Sequence, residues 1–296
     1  MGENNTAIAP ERRAELLEII RNFRLMDDTF MSKVFEDKEC SELLLRVILC
    51  RDDLTVVRVV SQFELKNLQG RSARLDIYAV DGKGKQYDIE VQRSDEGGNP
   101  KRARYNSSLL DANSLLPGEK YDSLPESYVI FITEHDVLKG GKPLYTIDRK
   151  ISELDNAIFA DESHIIYVNG EARTETALGE LMQDFFCNDP DKMHYKILSR
   201  RAGYLKDDKE GVDTMCKLVE DYAEKRAREA AEEAARKAAE EAKKAAAEAA
   251  SKAAKDTSIN VAVELWNDGM RDMEKIAKLT KLPLDEVKKL FEGKTA

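Results

Sequence analysis

Apolar and polar positions change period several times along the chain. Residues 11–50 carry apolar side chains at helical spacing, with Phe30, Val34 and Phe35 on one face; SELLLRVIL (41–49) opens on a capping serine and continues as an apolar run. The period then falls to two. LTVVRVVSQFEL (54–65), ARLDIYAV (73–80) and QYDIEVQ (86–92) are rich in β-branched and aromatic residues, and DGKGK between the last two is a hairpin turn. NPKRARYNSSLLDANSLL (99–116) predicts a helix starting near Pro100, ESYVIFIT (126–133) and HIIYVN (164–169) predict further strands, and residues 174–221 return to helical spacing. Helix, three strands, helix, strand is the order of an α/β sandwich seeded by an antiparallel meander. One compact domain is expected over 25–220, preceded by a helical or flexible extension, 1–24.

Composition breaks after that domain. DYAEKRAREAAEEAARKAAEEAKKAAAEAASKAAKD (221–256) is almost entirely Ala, Glu, Lys and Arg, and Glu224/Arg228, Glu232/Arg236, Glu233/Lys237, Glu240/Lys244 and Glu248/Lys252 stand Glu-first at i,i+4. A semi-rigid helical spacer on the order of 50 Å long is expected. Its alternative is a narrow alanine-seamed coiled coil through Ala231, Ala235, Ala238, Ala242, Ala245 and Ala249, which would make the protein a homodimer. Residues 257–296 regain large apolar side chains and predict three short helices with helix-turn-helix-like spacing. Lysines at 275, 278, 281, 288, 289 and 294 suit either a solvated face or contact with DNA.

A formal charge of −10 gives no global attraction to nucleic acid, so a nucleic-acid site must be a local basic patch. Cys40, Cys50, Cys187 and Cys216 lie far apart and form no CxxC pair, which argues for reduced thiols rather than structural zinc. The N-terminus lacks a secretory pattern, and no apolar stretch approaches the roughly 18 residues that span a bilayer. A soluble cytoplasmic protein without membrane contact is expected.

Candidate chemistry lies in the hairpin RLDIYAVDGKGKQYDIEVQR (74–93), whose strands carry Asp76 and Glu90 near their middles. By strand alternation Asp76 shares a face with Arg74 and Tyr78, and Glu90 with Asp88 and Gln92. With a suitable register the two carboxylates point into one cleft, where they repel unless a cation sits between them; Mg²⁺, or Mn²⁺, is the natural one. Phosphodiester hydrolysis uses such a site, with a polar side chain two residues after the Glu to orient the attacking water. Solvent-facing acids on an amphipathic hairpin are the competing explanation of the same spacing.

The hairpin resembles the signature of the PD-(D/E)XK nucleases, and more closely that of the Rpn-type recombination-promoting nucleases, the PD-(D/E)XK family transposases. DDTFMSKVF (27–35), RARYNSSLLDANSLLPGEKYDSLPESYVIFITEHD (102–136), HIIYVNG (164–170) and GVDTMCKLVEDYAEK (211–225) resemble the family's layout in order and spacing. The resemblance implies a restriction-endonuclease-like sandwich with a mixed central sheet flanked by helices. It makes Asp76 and Glu90 metal ligands and Gln92 the residue at the motif's last position, where most of the superfamily has Lys. Gln offers only neutral hydrogen bonds to a developing charge, which puts the rate in doubt more than the reaction class. An acid on the first helix often completes such sites, and Asp28 and Glu42 both qualify.

Arg93, Lys101, Arg102 and Arg104 are expected to hold the DNA backbone, although Arg102 and Arg104 differ by about 200° of helix rotation and only one can face the cleft squarely. Tyr105 is expected against the sheet. A Mg²⁺-dependent DNA endonuclease without a small-molecule cofactor follows, nothing in the sequence resembling the apparatus of strand transfer. The rival is a module of weakened chemistry that binds nucleic acid or protein and oligomerises through 221–256.

Overall fold

The computed structural model describes residues 9–67 and 70–292. Three helices come first: α1 (Pro10–Asn22), α2 (Asp28–Phe35) and α3 (Lys38–Leu49). Proline in its first turn starts α1, and the Asp37 carboxylate caps α3 by accepting from the Cys40 amide. The apolar faces of all three are buried, including Leu16 and Ile20 within the 1–24 stretch.

Strands β1 (Val56–Leu65), β2 (Ala73–Asp81) and β3 (Gln86–Gln92) form an antiparallel meander. Helix α4 (Pro100–Ser114) then crosses to β4 (Ser127–Thr133), which lies parallel to β3. Next come β5 (Leu144–Ile147), a two-stranded ladder of β6 (Lys150–Ile151) and β7 (Ala157–Ile158), and β8 (Ser163–Asn169). The six-stranded sheet has the order β1-β2-β3-β4-β8-β5 and is mixed, with β8 parallel to β4 and β5 antiparallel to β8. Strand β5 and the ladder fall in a stretch whose sequence predicted no element.

Alternation sorts the sheet's side chains. Ile89, Val91, Ile130, Ile132, Ile166 and Val168 enter the main core with α1, α2, α3, α5 (Ala177–Phe186) and α6 (Lys196–Asp207). Val129, Phe131 and Tyr167 pack with Ala103 of α4, and Leu75 and Tyr78 with its Leu109 and Leu110. Tyr105 packs there too, as expected.

Helix α7 (Lys209–Asn267) is continuous through the expected spacer and into the tail, so INVAVELWNDG is its last stretch rather than a separate helix. The chain divides into two compact units, Met1–Tyr222 and Ala223–Ala296. In the first, Val212, Met215 and Cys216 of α7 join the main core. Residues 221–257 are exposed throughout. Glu233–Lys237 is the expected pair that closes, at 2.8 Å, whereas Lys225 and Arg228 pair forward with Glu229 and Glu232 at 4.0 and 3.9 Å. In the second unit Ala262 and Trp266 pack with α8 (Met273–Thr280) and α9 (Leu284–Phe291), Trp266 stacking on Phe291 at 4.3 Å. Lys281 supplies the left-handed turn residue after α8, while Lys294 lies outside the described residues. No helix among the described residues is long and apolar enough to cross a membrane.

Candidate active site

The β2–β3 ladder runs from Val80↔Gln86 to Ile77↔Ile89 and then gives way to side chains. Glu90 Oε1 accepts from the Asp76 amide at 3.3 Å, and Asp76 Oδ2 accepts from the Val91 amide at 3.2 Å. Each carboxylate thus does for the opposite strand what a ladder carbonyl does elsewhere, and the two acids meet where the strands part. On β1, Gln62 adopts a left-handed φ of 52° between the pairs Ser61↔Ile77 and Phe63↔Leu75. Only a residue fixed by its surroundings keeps that conformation. Here the Phe63–Tyr78 stack at 4.6 Å lies directly beside it. Alternation breaks at this level: Leu75 and Tyr78 both pack under α4 while Ile77 enters the main core.

Beside Asp76 the chain buries two more carboxylates, Asp88 and Glu90, each 0 % exposed. Burial is the main force lifting all three from the usual carboxylate range. Asp76 is raised to about 6, with the Asp28 carboxylate adding to burial and the Val91 amide opposing it. Glu90 is raised well above the usual range by burial and then by Asp88 and Asp76, with Arg102 pulling it back. Asp88 rises for the same first reason, against a hydrogen bond from Asn106 Nδ2 at 3.1 Å. Its Oδ1 has no hydrogen-bond partner among the described residues. Arg102 enters from α4 and donates to Glu90 Oε2 at 2.5 Å, to Gln92 Oε1 at 2.9 Å and to the Gly97 carbonyl at 3.3 Å. Gln92 in turn donates from Nε2 to Glu90 Oε2 at 3.2 Å.

Asp76, Glu90 and Gln92 therefore come together. Of the two first-helix acids, Asp28 stands at the start of α2 where its charge reaches Asp76. Glu42 is engaged elsewhere, accepting from the Val56 amide at 2.9 Å and pairing with Arg46 at 2.8 Å. The four basic residues do not form one patch. Arg102 lies inside the carboxylate centre, and Arg93 pairs with Asp27 at 2.8 Å and Glu134 at 3.4 Å, tying the end of β3 to the start of α2. Lys101 and Arg104 are exposed on another side of α4. Asp88, expected on the Glu90 face but not named as a site residue, completes the centre with Asn106, which was not foreseen and whose sequence signal was an amide on the α4 face shared with Ala103 and Leu110.

The donor set suits a hard divalent cation: several carboxylates close together, one buried oxygen without a partner among the described residues, and acids raised above their ordinary range by burial and by one another. No group of three His, Cys, Asp or Glu side chains among the described residues is arranged around a single ion position. Mg²⁺ needs no such cage, since it retains several waters and binds through one or two carboxylates.

A family model described as PD-(D/E)XK nuclease family transposase matches residues 36–264. That span includes Asp76, Asp88, Glu90, Gln92 and Arg102 and leaves Asp28 outside. No match is found among curated proteins or among solved structures.

Proposed function

Because the chain belongs to the PD-(D/E)XK nuclease family transposases, we propose that it is a divalent-cation-dependent DNA endonuclease built on that family's sandwich. The observation that carries this reading is the meeting of the half-buried Asp76 and the buried Glu90 where β2 and β3 part. Asp76 and Glu90 hold the cation, Mg²⁺ or Mn²⁺, with Asp28 at the edge of the site. When bound, the cation supplies Lewis-acid activation of the scissile phosphate and of a water. Gln92 orients that water through its carboxamide, which Glu90 and Arg102 fix from both ends. Arg102 brings the positive charge that a motif lysine supplies in most of the superfamily, from α4 instead of β3. Asn106 and Asp88 brace Glu90 from behind, and Lys101 and Arg104 meet the phosphate backbone. Residues 221–256 serve as a spacer and 257–296 as a small helical module.

The test is plasmid nicking by the full chain with Mg²⁺ or Mn²⁺, with EDTA and Asp76→Ala as controls. Cleavage is expected only with the cation, and Asp76→Ala is expected to lower it about a hundredfold or more, the scale of losing one charge-stabilising group. Arg102→Ala should fall similarly and Arg102→Lys should recover part of the rate. A folded protein that cuts with neither cation would sink the reading and favour a binding module, as the absence of the motif lysine suggests.

A further inference from the structure

On the other side of the first turns of α4 from Arg102 lies a cavity of about 360 Å³, between α4, β8 and β5. Leu138, Ile147, Ile165 and Tyr167 give it apolar walls, and Lys101 and Arg104 stand at its edge. The polar groups of its wall are already partnered. Tyr167 donates to the Gly98 carbonyl at 2.9 Å, Ser163 bonds Ser107 at 3.1 Å, Asp148 bonds His164 at 2.6 Å, and Arg149 pairs with Asp161. Lys101 and Arg104 are the exceptions, their side chains making no hydrogen bond or ion pair among the described residues. Three residues apart, they are neighbours on one face of the helix. An apolar cavity of ligand size with two uncommitted cations at its rim suits a group that is flat or apolar at one end and anionic at the other.

The cavity is also joined to the carboxylate centre. Glu90, Phe131 and Tyr167 lie in one row across β3, β4 and β8, so Tyr167 is two strand spacings, about 10 Å, from the Glu90 strand. Arg102 lies over the Phe131 ring at 5.7 Å, and Phe131 stacks on Tyr167 at 5.5 Å, so these side chains pack in series from the carboxylate centre to the cavity wall at Tyr167. We propose that this cavity takes one unstacked nucleotide of the strand being cut, its base against Leu138, Ile165 and Tyr167 and its phosphate on Lys101 and Arg104. The inference rests on the nuclease reading and specifies its substrate: a strand with a nucleotide free of its stack next to the scissile phosphate. Because, among the described residues, the polar side chains of the walls other than Lys101 and Arg104 are already paired, the base is held by packing and any base is accepted.

The test uses the full chain in EDTA, so that strands stay intact, and fluorescence anisotropy with a labelled 15-mer of thymidylate and a 15-mer of the same length made of abasic units. The base-bearing strand is expected to bind roughly tenfold tighter. Ile165→Trp, which fills the cavity, should remove that preference without weakening the abasic strand. Lys101→Gln/Arg104→Gln, on exposed positions that do not threaten folding, should weaken both strands and reduce the salt slope by about one unit, as expected for loss of one to two phosphate contacts. Equal binding of the two strands by the wild-type protein, or an unchanged salt slope in the double variant, would overturn the proposal. So would thymidine monophosphate displacing the strand at equal concentration, which would assign the cavity to a free nucleotide. Nicking that depends on Asp76 without base preference removes only the pocket; base preference without nicking removes only the nuclease.

Discussion

Gly97 has no room for a side chain, since a Cβ there would lie 2.1 Å from Gln92 Oε1. The neighbour is the far end of a flexible side chain, so Gly97→Ala is expected to fold normally and to push the carboxamide out of its bond with Arg102. Nicking should drop about tenfold or more, the cost of misplacing a positioning group, with an unchanged thermal midpoint. The carboxylates supply a second residue-scale expectation. Asp76 titrates near 6 in the folded protein and near 3.9 in an unfolded chain, so folding favours its protonated form. That contribution is present below about pH 4 and is lost as pH rises through 6. Binding of Mn²⁺, which favours the ionised form, should therefore raise the midpoint more at pH 7.5 than at pH 5, by a few degrees for each kcal/mol gained. Asp76→Asn should abolish that difference; a cation effect that persists in the variant would place the ion elsewhere.

Among the elements, α6 owes its seat to one buried cation. Lys206 is 4 % exposed and donates from Nζ to the carbonyls of Arg21, Phe23 and Asn188 at 3.0, 2.6 and 2.6 Å, joining the end of α1 to the segment after α5. Lys206→Met would leave three carbonyls without their donor and should cost about 3 kcal/mol in denaturant unfolding. Elements whose pattern is local were legible in the sequence: β2, β3 and α4 are set by alternation, a glycine turn and Pro100. Those set by distant partners were not. Strand β5 is four residues long and exists by pairing with β8, and nothing about a glutamine foretells the left-handed Gln62. Which of Arg102 and Arg104 faces the centre depends on how α4 is rotated over the sheet, fixed by burial of Ala103, Asn106 and Leu110. Asp28 and Glu42 were equivalent for the same reason, until the Val56 amide and Arg46 engaged Glu42. The tail's first helix was separated from the spacer because composition changes there. The backbone responds to breakers instead, and neither Gly nor Pro occurs between Val212 and Asp268; Gly269, at φ 96°, follows the helix end.

At the scale of the whole molecule the two compact units differ in what stabilises them: a sheet with buried helical faces in one, and, among the described residues, a cluster of six buried apolar residues that includes Trp266 and Phe291 in the other. An alanine stripe offers little area to bury, so the full chain is expected to sediment as a monomer near 33.5 kDa. Twice that mass, lost on truncation after Tyr222, would establish the coiled coil instead. Residues 221–257 carry a further consequence. Lys255 near its end pairs with Glu286 of α9, but from 227 to 254 the side chains face water and the ion pairs link residues four apart, so each turn there leans on its own amides and near neighbours rather than on a core. Heating should therefore erode its ellipticity gradually from low temperature, as a sloping baseline beneath the sharp transition of the sheet domain. Its amide protons should exchange with solvent long before those of β3 and β4.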